Sequence, residues 1–339
     1  MSLVDGPRAR NTRTMEVESV VVALLCQASA GAFIAGGTNL VDHVKLAERR
    51  PDLLVDSARL PDDRIEPLPE GGVRIGAQVR TADLAGDRTI RARYPVLMQA
   101  LLEDASGQLR NVATVGSNLL QRTRCIYFQD VSKPCNKRDP GSSCAARDGD
   151  HRELAILGTS TTCSATNPSD MAVALAALDA LVRTLGPAGE RTIPLTDLHR
   201  LPGHEPERDT VLAHGEMITA VDLPPLDVAG RSRYRKVRDG ASDTPAFVSV
   251  AAALDVADGV VREARIALGG VAPRPWRAWK AEAALRRMPA TEESFCQAAD
   301  SELADAQPLP GNAFKVPLAR NLIVRCLLDL LETPEEAER

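Results

Sequence analysis

Four of the seven cysteines fall in one stretch of the chain, and their thiols are the strongest candidates for chemistry. Cys125, Cys135, Cys144 and Cys163 are separated by nine, eight and eighteen residues. Four thiolates can hold a [4Fe–4S] cluster, a [2Fe–2S] cluster or a zinc ion. Because no pair has the C-x-x-C spacing, the set indicates neither a zinc ribbon nor a thioredoxin-like pair. Unlinked thiols or a disulfide pair are the alternative, although nothing marks a disulfide-rich secreted scaffold.

Cationic side chains surround these cysteines in a polar segment. A [4Fe–4S] cluster with four thiolate ligands is anionic, so nearby cations would offset its charge, lower the pKa of the thiols and raise the reduction potential. From residue 121 to about residue 152 the hydrophobic periodicity disappears, over a length far beyond the usual connection of about 4–6 residues. Folding around a metal centre would explain how this segment is ordered. The cations are Arg122, Arg124, Lys133, Lys137, Arg138 and Arg147.

Two glycines form the turn between a predicted buried strand, residues 33–35, and a predicted helix, residues 40–47. Glycines let the backbone turn sharply, and the free amides of such a turn attract anions such as phosphate. The pattern is not G-x-G-x-x-G, so it does not indicate a Rossmann dinucleotide site, and a tight turn without a ligand is the alternative. The candidate ligand-binding residues are Ile34, Ala35, Gly36, Gly37, Thr38, Asn39 and Leu40.

Three further positions offer polar groups to a ligand. The small, polar residues of Thr114–Leu119 could present more amides to a pyrophosphate, with an ordinary loop as the alternative. Asp170 sits where a helix N-cap is expected, yet a fixed carboxylate there could also accept hydrogen bonds from ribose hydroxyls. Lys236 could add a cation, although a solvated strand face is the more common explanation. In the first of these segments the candidates are Thr114, Gly116, Ser117 and Asn118.

The elements that must position these residues form two groups, and the 339-residue length also suggests two domains. Before residue 225 the patterns predict helices at 16–30, 81–84, 95–103 and 171–178, and strands at 53–55, 73–77, 182–185 and 217–223. After it, strands at 234–237, 247–256 and 260–268 precede helices at 276–287, 292–303 and 318–331. Three strands followed by helices indicate a smaller α+β domain.

Composition and patterning exclude several classes of protein. The net charge of −5 argues against general nucleic-acid binding. No run of about 18 apolar residues occurs, so no membrane span is expected. The N-terminal arginines are not followed by an apolar segment with a cleavage site, which predicts no export signal of its own. A cytoplasmic location, or export with a signal-bearing partner, is therefore expected. No Ser/His/Asp or Gly-x-Ser-x-Gly pattern occurs, and no catalytic residue is predicted.

Taken in order, these segments resemble the FAD-binding medium subunit of the xanthine dehydrogenase family of molybdenum hydroxylases. Within that family they are most similar to the FAD and [4Fe–4S] subunits of periplasmic aldehyde oxidoreductases. The resemblance covers nearly the whole chain after about residue 30. It is carried by Ser106–Asn111, Asn118–Cys125, Pro134–Arg138, Pro140–Cys144 and Thr166–Ala174, with Tyr234–Arg238 and Leu268–Ala272 supporting the C-terminal part.

The resemblance implies an α+β fold. Residues 1–225 would form a two-lobed FAD-binding domain of the vanillyl-alcohol-oxidase (PCMH) type, and residues 226–335 a smaller α+β domain with a three-stranded antiparallel sheet. It places the pyrophosphate on residues 35–40 and 114–118, and Asp170 at the ribose. In most relatives residues 121–165 have no counterpart, but the aldehyde oxidoreductase subfamily holds a [4Fe–4S] cluster in such an insertion, which favours that cluster on the four cysteines.

The resemblance also implies the role of electron transfer in an αβγ heterotrimer. A large subunit with the molybdenum cofactor would oxidise the substrate, an aldehyde, and a small subunit with two [2Fe–2S] clusters would pass electrons singly to FAD. The flavin would deliver them to an external acceptor. The alternative is a stand-alone flavin oxidase with a zinc-stabilised four-cysteine loop, and a third hypothesis is a scaffold that has lost FAD.

Two features depart from the family pattern. Relatives often have glycine where this chain has Ser117, so the backbone there is less permissive. The first 30 residues also match poorly, because the family usually opens with an aromatic-rich strand that residues 1–14 do not resemble.

Overall fold

A small parallel sheet forms the first lobe of the computed structural model, which describes residues 22, 26, 29–240 and 244–332. Strand β1 (Ala32–Ile34) pairs with β2 (Leu54–Asp56), and helix α1 (Leu40–Lys45) lies in the connection between them. Parallel strands need such a crossover, because a tight hairpin can join only antiparallel neighbours. The expected helix at residues 16–30 lies almost wholly outside the described residues.

A five-stranded antiparallel sheet forms the second lobe, in the order β3-β4-β7-β5-β6. Its strands are β3 (Ile65–Pro67), β4 (Val73–Gly76), β5 (Leu181–Gly186), β6 (Gly189–Pro194) and β7 (Met217–Leu223). The sequence predicted β4, β5 and β7 but missed the two edge strands, whose side chains are mostly exposed and carry little hydrophobic pattern.

Helices cover this sheet and surround the ligand-binding segments. They are α2 (Thr81–Gly86), α3 (Arg88–Arg93), α4 (Pro95–Asp104), α5 (Gly107–Arg110), α6 (Val115–Leu119), α7 (Ile126–Gln129), α8 (Asp170–Ala177) and α9 (Leu195–Leu198). Helix α8 is buried along its whole length, which explains its run of apolar residues without an amphipathic pattern. Helix α3 was not predicted; its three arginines leave only Ile90 buried.

The C-terminal part contains a four-stranded antiparallel sheet in the order β11-β10-β9-β8. The three expected strands are β8 (Ser232–Val237), β9 (Val248–Ala257) and β10 (Val260–Gly269). The prediction of a helix from Trp276 was wrong, because Trp276–Arg277 forms the two-residue strand β11 against Ala267 and Leu268. The helices that follow are α10 (Trp279–Leu285), α11 (Glu292–Leu303) and α12 (Lys315–Glu332).

The two parts of the chain share a core. One apolar cluster fills the space around the five-stranded sheet, α4 and α8, and it takes in Tyr234, Ala251 and Ala267 from the C-terminal sheet. A second apolar cluster lies between the opposite face of the C-terminal sheet and α10–α12. The C-terminal sheet is therefore covered on both faces, and its inner face packs against α4 and α8.

Residues 121–165 contain little regular structure apart from α7 and a 3₁₀ turn at Ala145–Arg147. This agrees with the loss of periodicity in the sequence. Within residues 22, 26, 29–240 and 244–332, no helix is both long and apolar enough to cross a bilayer.

Candidate functional site

The glycine turn after β1 is shaped by the absence of two side chains. A Cβ atom on Gly36 would lie 2.0 Å from the carbonyl oxygen of Val112, so the two backbone segments could not approach as they do. Gly37 has a φ of 71°, in the left-handed region that favours glycine. Among the described residues, the amides from Gly36 to Asn39 donate to no protein acceptor. The turn therefore offers a row of free donors to an anion.

The Thr114 segment lies beside this turn and forms the start of α6. The Thr114 hydroxyl accepts from the Ser117 amide at 3.4 Å, and the Ser117 hydroxyl accepts from the Thr114 amide at 3.3 Å. This reciprocal capping explains how serine is accommodated where relatives often have glycine. Gly116 is the tighter position, because a Cβ there would lie 3.1 Å from the Cβ of Ala77.

Two elongated cavities meet at these segments. The first, of about 420 Å³, is lined by Ile34–Ala35, Gly37–Leu40, Thr114, Gly116 and Ser117 together with Leu212, Met217 and Ile218. The second, of about 450 Å³, is lined by Asn118, Asp104, Leu109, Ile126 and Lys236 among others. Thr38, Asn39 and Ser117 line both cavities. The structure thus brings together the glycine turn, the Thr114 segment and Lys236 around one divided cleft.

Asp170 lines neither of the two large cavities. One of its oxygens accepts from the Tyr234 hydroxyl at 2.5 Å, and the other accepts from the Lys236 ammonium at 2.6 Å. The residue is 2% exposed and borders only a small void beside Gly269 and Gly270. The predicted contact with a ribose is therefore not visible in the geometry, which instead has Asp170 holding two side chains of β8.

Burial dominates the electrostatics of this carboxylate. Loss of solvent raises the pKa of Asp170 to about 7, although the Lys236 charge and two hydrogen bonds act in the opposite direction. The neighbouring carboxyl of Asp104 is also buried, and desolvation raises its pKa against the effect of Asn118, whose amide donates to it at 2.5 Å. The Lys236 ammonium also donates to the carbonyl of Glu103 at 2.9 Å, and Lys236 and Arg124 both line the second cavity.

The four clustered cysteines converge on one small cavity. Cys125, Cys135, Cys144 and Cys163 all line it, and Cys135 pairs with Cys144 through an isolated antiparallel bridge. All four are free thiols in the structure. In the part of the chain that the structure describes, no three His, Cys, Asp or Glu side chains are arranged to hold a single metal ion.

Burial controls the protonation of these thiols. Desolvation raises the pKa of Cys125 to about 12 and also raises the pKa values of Cys144 and Cys163. The cations that were expected to lower these pKa values act only in part. Lys137 lowers the pKa of Cys163, and Arg147 lowers that of Cys144. A cationic metal centre would reverse this balance, because coordination requires the thiolate form.

Sequence reasoning missed Asp209, the residue that joins the four-cysteine cavity to the first of the two large cavities. Asp209 forms ion pairs with Arg122, at 2.7 Å, and with Lys137. Although burial opposes ionisation, these two cations hold the pKa of Asp209 below its ordinary value. Because Asp209 follows the two cations by more than seventy residues, in a loop without a motif, no local signal could have identified it.

Two family models match consecutive parts of the chain. Residues 12–226 match the FAD binding domain in molybdopterin dehydrogenase, and residues 232–330 match the CO dehydrogenase flavoprotein C-terminal domain.

Several known proteins are similar over most of their length. The aldehyde oxidoreductase FAD-binding subunit PaoB of Escherichia coli K12 is 49% identical, over 91% of this chain and 94% of its own. The carbon monoxide dehydrogenase medium chain of Hydrogenophaga pseudoflava is 27% identical, over 90% and 91%. A solved structure of carbon monoxide dehydrogenase from the same organism has a TM-score of 0.70 at 26% identity, covering 92% of this chain and 94% of that one.

Proposed function

Because the chain belongs to the family of FAD-binding subunits of molybdopterin dehydrogenases, we propose that its two cavities hold the two halves of one FAD molecule. The observation that carries this proposal is the wall of Thr38, Asn39 and Ser117 shared by both cavities, beside a turn whose amides are free. A pyrophosphate at this wall would receive donors from the glycine turn and the Thr114 segment, with one half of the cofactor on each side.

We assign the flavin half to the second cavity. When bound, FAD supplies a flavin that takes up electrons singly and releases them in pairs. Lys236 would place a fixed positive charge beside the ring, and Asp170 and Tyr234 hold that ammonium from the buried side. Asp170 would therefore act on the cofactor through Lys236. The aliphatic side chains of Ile34, Leu212 and Ile218 in the first cavity suit the adenine half.

The chain is the FAD-containing, electron-transferring subunit of a molybdenum hydroxylase, and its relatives are subunits of multi-subunit oxidoreductases. These relatives lend no support to the alternative of a stand-alone flavin oxidase. The partners proposed for it are a large subunit with the molybdenum cofactor and a small subunit with [2Fe–2S] clusters, in an αβγ heterotrimer. The identity to an aldehyde oxidoreductase subunit favours an aldehyde as substrate of the complex, and an external acceptor would take the electrons from the flavin.

For location we propose the cytoplasm, or the periplasm by export together with a signal-bearing partner.

We further propose that the four cysteines hold a [4Fe–4S] cluster. What supports this proposal is that all four thiols line one small cavity, and four cysteine thiolates are the usual ligand set of such a cluster. Cys135 and Cys163 are buried, so the centre would be shielded from solvent on that side.

The test is the iron, zinc and flavin content of the anaerobically purified chain, with an EPR spectrum after dithionite reduction. About four irons and one FAD per chain, with a reduced-cluster signal, is the expected result. FAD with one zinc and no iron would replace the cluster by a zinc-stabilised loop. Folded protein that binds neither metal nor flavin would overturn both proposals and leave a scaffold. As a control, Cys296→Ser should keep the iron and flavin content of the unmodified chain, because Cys296 lies in α11, outside the four-cysteine cavity.

A further inference from the structure

An ionic bridge connects the four-cysteine cavity with the first FAD cavity. Lys137 lines the cysteine cavity, is 7% exposed, and donates to the carbonyl of Pro206 at 2.7 Å and to the Asp209 carboxylate. The second oxygen of Asp209 accepts from Arg122 at 2.7 Å. Asp209 and Arg122 both line the first FAD cavity. One carboxylate therefore holds a cation from each site.

Contacts with the ring of Phe128 form a second connection between the two cavities. Phe128 lines the cysteine cavity, and the guanidinium of Arg122 lies over its ring at 4.6 Å from the centroid. His43, which lines the first FAD cavity, meets the same ring edge-on with centroids 5.8 Å apart. The contact with His43 packs the start of the insertion against helix α1, which follows the glycine turn.

A third connection reaches the glycine turn itself. The side-chain oxygen of Asn39 accepts from the backbone amide of Arg122 at 3.1 Å and pairs with the ring of His43 at 3.0 Å. Asn39 is one of the three residues shared by the two FAD cavities. The backbone of Arg122 is therefore in direct contact with a residue of the proposed pyrophosphate site.

The charges make this arrangement sensitive to the cysteine site. Lys137 lines the four-cysteine cavity together with Cys163 and at the same time pairs with Asp209. An anionic metal centre on the thiolates would hold Lys137 in place, and Lys137 would in turn fix Asp209 and the guanidinium of Arg122. Without that centre the buried ammonium has fewer partners, and the insertion has lost its internal anchor.

We propose that Asp209 is a positioning residue that couples the two cofactor sites, so that a metal centre on the four cysteines tightens FAD binding and bound FAD stabilises that centre. Such coupling is reciprocal, because each ligand changes the affinity of the other by the same factor. This inference rests on the proposed function, in which both FAD and the cluster bind to this chain.

The experiment measures the dissociation constant of FAD for the full chain by flavin fluorescence, with the cluster loaded and after removal of iron by a chelator. We expect binding to weaken by about tenfold on removal of iron, within the usual range of allosteric coupling. Equal dissociation constants in the two forms would overturn the inference without involving any variant. Wild-type protein that binds no FAD or no iron would instead overturn the proposed function.

Asp209→Asn removes the shared carboxylate charge while keeping its shape. In this variant the two forms should differ by less than about twofold, and the visible circular dichroism of bound FAD should no longer change with iron content. Asp209→Glu should restore part of the difference. The control is Glu205→Gln in the same loop, which pairs with Arg200 and Arg208 and should keep the full tenfold effect. An Asp209→Asn variant that keeps the wild-type ratio would refute the assignment to Asp209.

Discussion

The Lys236 ammonium lies 2.6 Å from a carboxylate oxygen of Asp170, although one residue belongs to the C-terminal sheet and the other begins the buried helix α8. Both side chains are almost fully buried, at 1% and 3% exposed. Tyr234, on the same strand as Lys236, donates to the other oxygen. The pair therefore joins the two parts of the chain and fixes the cation that faces the second cavity.

Replacement of Lys236 by methionine should destabilise the protein by about 3–5 kcal/mol, because a buried carboxylate then loses its cation. Tyr234→Phe should cost less, about 1.5–3 kcal/mol, since it removes one hydrogen bond to the carboxylate and no charge. Urea unfolding of the FAD-free chain gives both free energies. Equal effects of the two substitutions would show that the ion pair is not the dominant contact.

Lys315 should give the protein a measurable pH dependence of stability. It is completely buried, and its ammonium donates to the carbonyls of Leu154 and Gly270 at 2.9 Å. Burial lowers its pKa to about 7, against a small opposing effect of Glu153.

The folded chain therefore binds fewer protons at Lys315 than the unfolded chain between pH 7 and about 10.4. Wild type should gain stability relative to Lys315→Met as the pH rises through this window, with no relative change below it. Thermal unfolding of both proteins across this pH range tests the sign. If the stability of wild type and that of Lys315→Met change with pH in the same way, the buried lysine is not the cause.

Gly36→Ala should weaken FAD binding by at least about tenfold, or about 1.4 kcal/mol. The new methyl group would overlap the carbonyl of Val112, so the turn and its amides must move. Gly86→Ala is the matched control, because nothing lies within 4 Å of a Cβ there. Flavin fluorescence titration of the two variants measures the difference, and a tight-binding Gly36→Ala protein would remove the turn from the site.

Cys163→Ser should lower the iron content and the melting temperature together. A metal centre that binds only the folded chain stabilises it by mass action, so its loss appears as a lower melting temperature. A chelator should likewise lower the melting temperature of wild type but leave that of Cys163→Ser unchanged. If the chelator has the same effect on both proteins, the buried thiol of Cys163 is not a ligand.

Much of the fold could be predicted because it follows from local patterns. The strand Met217–Leu223 and the helix Glu292–Leu303 have the bounds that the sequence indicated, since each is a regular apolar pattern between clear breaks. The strand at Trp276–Arg277 could not be predicted, because two residues show no periodicity and the strand is defined only by its pairing with Ala267 and Leu268.

The sequence by itself determined the types and spacing of the groups that can bind: the glycine pair at 36–37, the capped segment at Thr114 and the four cysteines. Only the tertiary structure decided where each group faces. It turned Asp170 away from the two large cavities and toward Lys236, and it brought Asp209 between Lys137 and Arg122. The physical reason is that backbone turns and caps depend on neighbours in the chain, whereas ion pairs across a core depend on which distant segments pack together.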